Sequence, residues 1–290
     1  MGKKSLDWRG EPSQTLRVNA GFSIAGFDCA STPGFTGDEY HAARLMETRG
    51  KELSGLQERL FAEGRSGGTR SVLLVIQGMD TAGKGGIVRH VIGLVDPQGV
   101  QHHSFGVPTE EEKAHDYMWR IDNALPTPGY IGVFDRSHYE DVLVVRVHNY
   151  VEPAVWGKRY DEINAWEAKV VASGTRVVKC ALMVSKEAQL NRLEERLDRS
   201  DKYWKYNPHD LDEHGFWPQY QEAYQAAVTR CSTDEAPWFV VPADRKWYAR
   251  WAVQQLLVEA LRRIDPQWPP AQFDVDAEQA RLAAVRGTES

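Results

Sequence analysis

From residue 71 onward, short apolar runs alternate with longer segments of helical period. The run SVLLVIQ at 71–77 is apolar at nearly every position and bounded by turn residues, the pattern of a strand buried on both faces. A helix is predicted from Gly85 to about Leu94, then a weaker strand around 99–105. In PTEEEKAHDYMWRIDNAL, Thr109 and Glu112 have capping-box spacing at a helix start. PTPG at 126–129 reads as a turn before the strand YIGVFD. Helices at about 158–173, 185–199 and 217–231 alternate with the strands TRVVKCALMV and WFVVPA, and a long helix closes the series at about 245–264. Such alternation predicts an α/β fold: a parallel sheet wrapped by helices. Upstream, residues 39–63 read as a helix despite Gly50 and Gly55, because Leu45, Leu53, Leu56 and Leu60 recur at helical spacings.

The flanks lack this regularity. Residues 1–38 are rich in Gly, Pro, Ser and Thr and form an extended arm that must lie against the body or remain mobile. Residues 266–290 read as a Pro-punctuated tail. A single domain over 39–265 is the expected organisation. Its 42% hydrophobic and 26% charged residues are ordinary for a globular protein, so disorder is excluded for the bulk of the chain.

The net charge of −6 argues against a general nucleic-acid binder, so any polyanion must meet a local basic cluster. Cys29, Cys180 and Cys231 are too few and too scattered for a disulfide framework or a zinc site, which fits a cytoplasmic setting. No apolar run approaches the length of a bilayer span, so no membrane partner is expected. The first sixteen residues carry basic groups but no apolar core of a leader, and Ser5 is one place early for myristoylation. His102 and His103 read as strand or surface rather than as metal ligands.

The chemistry concentrates at GMDTAGKGG, residues 78–86. It matches the phosphate-binding pattern G-x-x-x-x-G-K and stands where that pattern works, between a buried strand and a helix. Backbone N–H groups over Gly78, Gly83, Gly85 and Gly86 can surround phosphate oxygens, and Lys84 can neutralise them. The pattern normally ends in Ser or Thr, whose hydroxyl helps hold magnesium; here Gly85 takes that place. Asp80 is an odd residue among phosphates unless a cation sits between them. Asp135 ends the strand YIGVFD at the sheet edge where ligands bind in open α/β folds. Together the two carboxylates supply hard oxygen ligands that can replace the missing hydroxyl; a turn cap and a strand-end residue are the plainer readings of the same pair. Arg89 lies one turn into the loop's helix, and Arg136 follows Asp135. Farther on, Arg192, Arg196 and Arg199 share one helix face, with Leu190, Leu193 and Leu197 marking the face expected to be buried. That helix runs into a lid-like segment, 199–215, where Trp204 is available to stack on a base.

GMDTAGKGG, FDRSHYEDVLVVRVH, SKEAQLNRLEERLD, KYWKY and APWFVVPADRKWYAR, in that order, resemble the second polyphosphate kinase family over roughly residues 70–265. The resemblance implies a three-layer, thymidylate-kinase-like P-loop fold with a helical lid, and a polyphosphate-dependent nucleotide kinase. The loss of the loop hydroxyl at Gly85 is itself a trait of that family. The resemblance implies metal binding by Asp80 and Asp135, Mg2+ with Mn2+ as a substitute. It implies phosphate binding by Lys84 and Arg136, with Arg89, Arg192 and Arg199 added from their placement, and a lid role for Arg196. RSHYEDVL is more similar to the branch accepting both nucleoside mono- and diphosphates. The expected partners are inorganic polyphosphate and adenine or guanine nucleotides, in a homo-oligomer, dimer or tetramer. An ATP-dependent nucleoside monophosphate kinase is the nearest rival, with Gly85 against it. A GTP switch lacks its N-K-x-D segment, and a non-catalytic polyanion module would not need both aspartates.

Overall fold

The computed structural model describes residues 8–288; the opening heptapeptide, with Ser5, and the last two residues lie outside the described residues. Five strands form one sheet: β1 (Ser71–Gln77), β2 (Val100–Ser104), β3 (Ile131–Asp135), β4 (Thr175–Met183) and β5 (Trp238–Pro242). Their spatial order is β2-β3-β1-β4-β5, and all four pairings are parallel. β1 is central and buried at every position. Its side chains alternate between two cores. Val72, Leu74 and Ile76 pack in the layer formed by the Glu39–Arg65 and Lys246–Ile264 helices. Leu73 and Val75 pack on the opposite side with the Pro153–Ala172 and Trp217–Arg230 helices. The parallel sheet wrapped by helices is what the alternation of runs predicts, and its three layers are those the family resemblance implies.

The sheet also sets the site. β1 lies between β3 and β4, and Ile76 stands in register with both Asp135 and Cys180. The chain leaving β1 therefore emerges beside the chain leaving β3, at the carboxyl edge where an open parallel sheet receives ligands.

The arm lies against the body. Arg17 makes an antiparallel bridge to Phe239, and the Val18 N–H donates to the Trp238 carbonyl at 2.9 Å, so the arm covers the edge of β5. Farther along, the Tyr248 hydroxyl donates to the Pro33 carbonyl at 2.6 Å. Beyond the prolines, the tail is not the plain arm its composition suggests but continues into a helix, Val275–Thr288. Ala, Glu, Gln, Arg and Leu are strong helix formers, and without an apolar stripe they give no periodic signal. The capping box at Thr109 and Glu112 is present in both halves, at 2.7 and 3.2 Å, yet the helix it starts ends at Lys113.

Candidate active site

The loop after β1 is built by its glycines. A side chain on Gly78 would strike the Leu182 carbonyl and Ala82, each 2.9 Å from where its Cβ would lie. Gly83 takes φ +110°, a left-handed conformation that turns the chain into the Lys84–His90 helix. Thr81 is also left-handed, at φ +66°. Gly85 differs: a Cβ there would meet nothing within 4 Å, so neither space nor backbone demands glycine. Lys84 folds its ammonium back onto the loop, donating to the Gly78 carbonyl at 2.7 Å.

Arg136 stands across from the loop. It takes the left-handed region at φ +65°, which costs a non-glycine residue about 1 kcal/mol or more and turns its side chain off the line of β3. Its backbone N–H is fixed to the Ile76 carbonyl at 3.0 Å, and its guanidinium donates to Asp80 Oδ1 at 3.0 Å. Burial works against its charge, but Glu140, Asp80 and Asp135 outweigh that and raise its pKa above the usual guanidinium value. Behind it, Gln77 donates to Glu140 Oε1 at 2.9 Å.

The Asp135 carboxylate accepts no hydrogen bond among the described residues, and Asp80 uses only one oxygen, on Arg136. Both line one cavity of about 760 Å³. This donor set, hard carboxylate oxygens left free beside a phosphate-type loop, fits a divalent cation of the magnesium class completed by water and ligand oxygens.

The cavity wall carries ten Lys and Arg side chains against four carboxylates, in a chain whose net charge is −6. Of the arginines read from sequence, Arg89, Arg192, Arg196 and Arg199 all line it. Their bonding separates them. Arg192 is buried and its terminal nitrogens donate to the carbonyls of Thr81, Ala243 and Asp244, so it clamps the loop against the chain leaving β5. Arg199 is half-exposed and paired with Asp201 at 2.9 Å. Arg196 donates through Nη1 to Asp210 at 2.9 Å and to the Lys205 carbonyl at 2.8 Å. Arg89 makes no ion pair among the described residues.

The helix carrying Arg192 and Arg196, Lys186–Leu197, ends two residues before Arg199 and is oriented differently from its leucine pattern. Leu193 is buried, but Leu190 and Leu197 are 40% and 50% exposed, while Gln189 and Arg192 turn inward. The helix starts at the carboxyl end of β4, capped by Ser185, and runs out over a polar cavity rather than over the core. Its inward face is therefore polar. Gln189 donates to the Asp80 carbonyl at 3.0 Å, a contact with no sequence signal.

Other wall residues were equally invisible to pattern reading. Lys246 and Arg250 come from the helix after β5, and the Arg250 guanidinium lies 3.9 Å from where a side chain on Gly86 would begin. The segment expected as a lid forms a turn, Ser200–Lys205, and a short helix, Pro208–His214. It contributes Lys202, Lys205 and Asp210 to the wall. Burial first, and then the neighbouring Lys202, Arg196 and Arg89 charges, depress the Lys205 pKa. Burial and nearby Asp80 raise that of Asp210. Trp204 lines the cavity, 78% exposed as a residue, with the Lys205 ammonium 4.8 Å from the centre of its ring.

These features agree with what the chain resembles. The family model for polyphosphate kinase 2 matches residues 36–269. An AMP/ADP-polyphosphate phosphotransferase of Meiothermus ruber is 45% identical over 248 residues, covering 86% of this chain and 91% of that protein. An ADP-polyphosphate phosphotransferase of Rhodopseudomonas palustris is 39% identical over 244 residues, 80% of this chain and 82% of that protein. The crystal structure of polyphosphate kinase 2 from Arthrobacter aurescens TC1 superposes with a TM-score of 0.94 at 50% identity, covering 96% of this chain and 98% of that one. With a loop, two free carboxylates and a cation-lined cavity at the edge of the same sheet, this chain belongs to the polyphosphate kinase 2 family.

Proposed function

We propose that this protein transfers the terminal phosphoryl group of inorganic polyphosphate to AMP and ADP, with magnesium and with manganese as a substitute. The observation that carries the reading is the charge of the cavity: ten cations against four carboxylates, six in excess, in an acidic chain. A nucleotide alone does not call for such a surplus, whereas a polyanion bearing about one charge per phosphate does. The M. ruber relative, named for phosphate transfer between polyphosphate and AMP or ADP, and the R. palustris relative, named for ADP alone, support the polyphosphate reading.

In this reading the acceptor's terminal phosphate is already ionised at neutral pH, its second pKa being about 6, so no strong general base is required. An acceptor oxygen attacks the terminal phosphorus, a P–O bond forms, and the bond to the penultimate phosphate breaks to leave polyphosphate one unit shorter. Lys84, the loop N–H groups and Arg136 hold the phosphates, and Arg196 reaches the transferring group from the lid. Arg192 positions the loop rather than the substrate. Asp80 and Asp135 would hold the divalent cation, which supplies neutralisation of charge on the phosphoryl group when bound. Arg89, Arg250 and Lys205 extend the positive wall along the donor chain.

The test supplies purified protein with ADP, polyphosphate and magnesium but no ATP. ATP should form and its yield should track polyphosphate consumed. No product here, together with ADP formation from ATP and AMP, would establish the ATP-dependent monophosphate kinase instead.

A further inference from the structure

We infer that Asp210 is a positioning residue for phosphoryl transfer, holding Arg196 so that one edge of its guanidinium faces the transferring phosphate. The inference rests on the polyphosphate-kinase reading above and adds a residue to it.

The geometry is specific. Arg196 is in the last turn of the Lys186–Leu197 helix, and Asp210 is in the Pro208–His214 helix, whose start is capped by Asn207. Both side chains are mostly buried, at 22% and 13% exposed, and both line the cavity. Arg196 uses a single nitrogen for its anchors: Nη1 donates to Asp210 Oδ2 and to the Lys205 carbonyl. Nε and Nη2 make no hydrogen bond among the described residues. Those two donors form the parallel fork that matches two oxygens of a phosphate. With Nη1 fixed to the turn and to the short helix of the lid segment, the guanidinium plane is set and the fork is left available.

Asp210 also lies within electrostatic reach of Asp80 and Arg136, so the anchored end of Arg196 is close to the loop and the end of β3. A lone carboxylate in a phosphate site would only repel substrate. Paired with Nη1 it has a different consequence: it shortens the search of a long, flexible side chain for its transition-state geometry.

The test is a double-mutant cycle on the full-length enzyme: Asp210→Asn, Arg196→Ala, and both together, with Asp210→Ser as a second removal. Thermal melting establishes that each variant is folded. Two quantities are measured: kcat with ADP and polyphosphate, and the Kd of magnesium tripolyphosphate without nucleotide. Asp210→Asn should lower kcat about ten- to hundredfold, the cost of a small misplacement of a catalytic group. Its tripolyphosphate Kd should stay within about threefold of wild type or tighten. In the Arg196→Ala background, removing Asp210 should change kcat by less than about threefold, because its action passes through that arginine. An unchanged kcat in both Asp210 variants would overturn the inference. So would a loss that multiplies with that of Arg196→Ala, since Asp210 would then act independently or hold up the lid generally. Wild-type enzyme that neither binds tripolyphosphate nor makes ATP from it would instead refute the functional reading itself.

Discussion

Asp135 and Lys84 line the same cavity; in the proposed mechanism one acts through a cation and the other directly on phosphate, and phosphoryl transfer depends on such placement more than on covalent help. Asp135→Asn and Lys84→Ala should each lower kcat at least about a hundredfold with the melting temperature preserved. Near-normal turnover in either folded variant would remove that residue from the site. Gly85 offers a sharper question, because open space around it lets a serine side chain enter without a clash. Gly85→Ser should fold normally yet fail to restore activity to Asp80→Asn, since a hydroxyl added to the loop does not recreate a carboxylate opposite Asp135. Recovery in the double variant would show that the two devices are interchangeable. Residues of this kind were legible in the sequence because their types contradict their surroundings: a carboxylate in a phosphate loop, a charged residue ending an apolar strand. Gln189 and Arg250 carried no such contradiction and emerged only when the fold brought distant segments together.

Helical spacing puts Arg192, Arg196 and Arg199 on one face, but the helix ends at Leu197 and Arg199 reaches the same cavity from the extended residue beyond it; the face expected to be buried is not the one the body covers, and Leu190 and Leu197 are exposed. The helix is pinned by polar contacts at the sheet edge, where cavity rather than core lies beneath it, so apolar periodicity loses its usual meaning. The difference between Arg192 and Arg196 follows. Arg192→Ala leaves three carbonyls without their donor and should cost roughly 2 kcal/mol, a fall of about 4 to 8 °C in Tm for a domain of this size. Arg196→Ala, which frees one carbonyl and one carboxylate at the cavity wall, should lower Tm less than Arg192→Ala while lowering kcat far more than Lys205→Ala does. Comparable Tm losses for the two arginines would undo that separation. Beneath the Asp135–Arg136 turn, Glu167 accepts from His138 and Tyr139 and pairs with Lys179, all of them buried. Burial depresses the His138 pKa, which Glu167 opposes without overcoming, so the ring is held neutral in the fold. The unfolded chain protonates this histidine near pH 6.5, so its contribution to stability is present above that pH and is lost as pH falls below it. Between pH 7 and 5, wild type should therefore lose stability faster than His138→Gln, by up to about 1.4 kcal/mol per pH unit. Parallel slopes in denaturant melts would show that His138 does not titrate as described.

The whole molecule sets an acidic exterior around a basic cavity, and that contrast escapes any reading of composition, because the contributing cations are spread from Lys84 to Arg250. The parallel sheet wrapped by helices, by contrast, was readable from the alternation of runs, since strands buried on both faces such as β1 and β4 cannot disguise their apolarity, whereas the half-exposed β2 gave only a weak signal. The substrate range is also decided at this scale. In a cavity of about 760 Å³ one acceptor must place its terminal phosphate in line with the donor, and AMP and ADP differ in length by a phosphoryl group. A misplacement of about 1 Å can cost roughly a hundredfold in rate, so serving both requires a base site that shifts or a cation that changes its ligands. Trp204, exposed in the segment proposed as a lid, offers an open stacking surface rather than an enclosed slot. We therefore expect AMP to be converted to ADP and then to ATP by the same site, as RSHYEDVL suggests. The experiment starts from AMP, polyphosphate and magnesium, free of adenylate kinase, and follows the three nucleotides by chromatography. ATP should appear after a lag in which ADP accumulates, and Asp135→Asn should abolish both steps together. If ADP is phosphorylated while AMP is left untouched, the cavity is tuned to one acceptor length and the dual reading fails. If Trp204→Ala slows one step while sparing the other, the two acceptors use different base positions, and the tolerance lies in the lid.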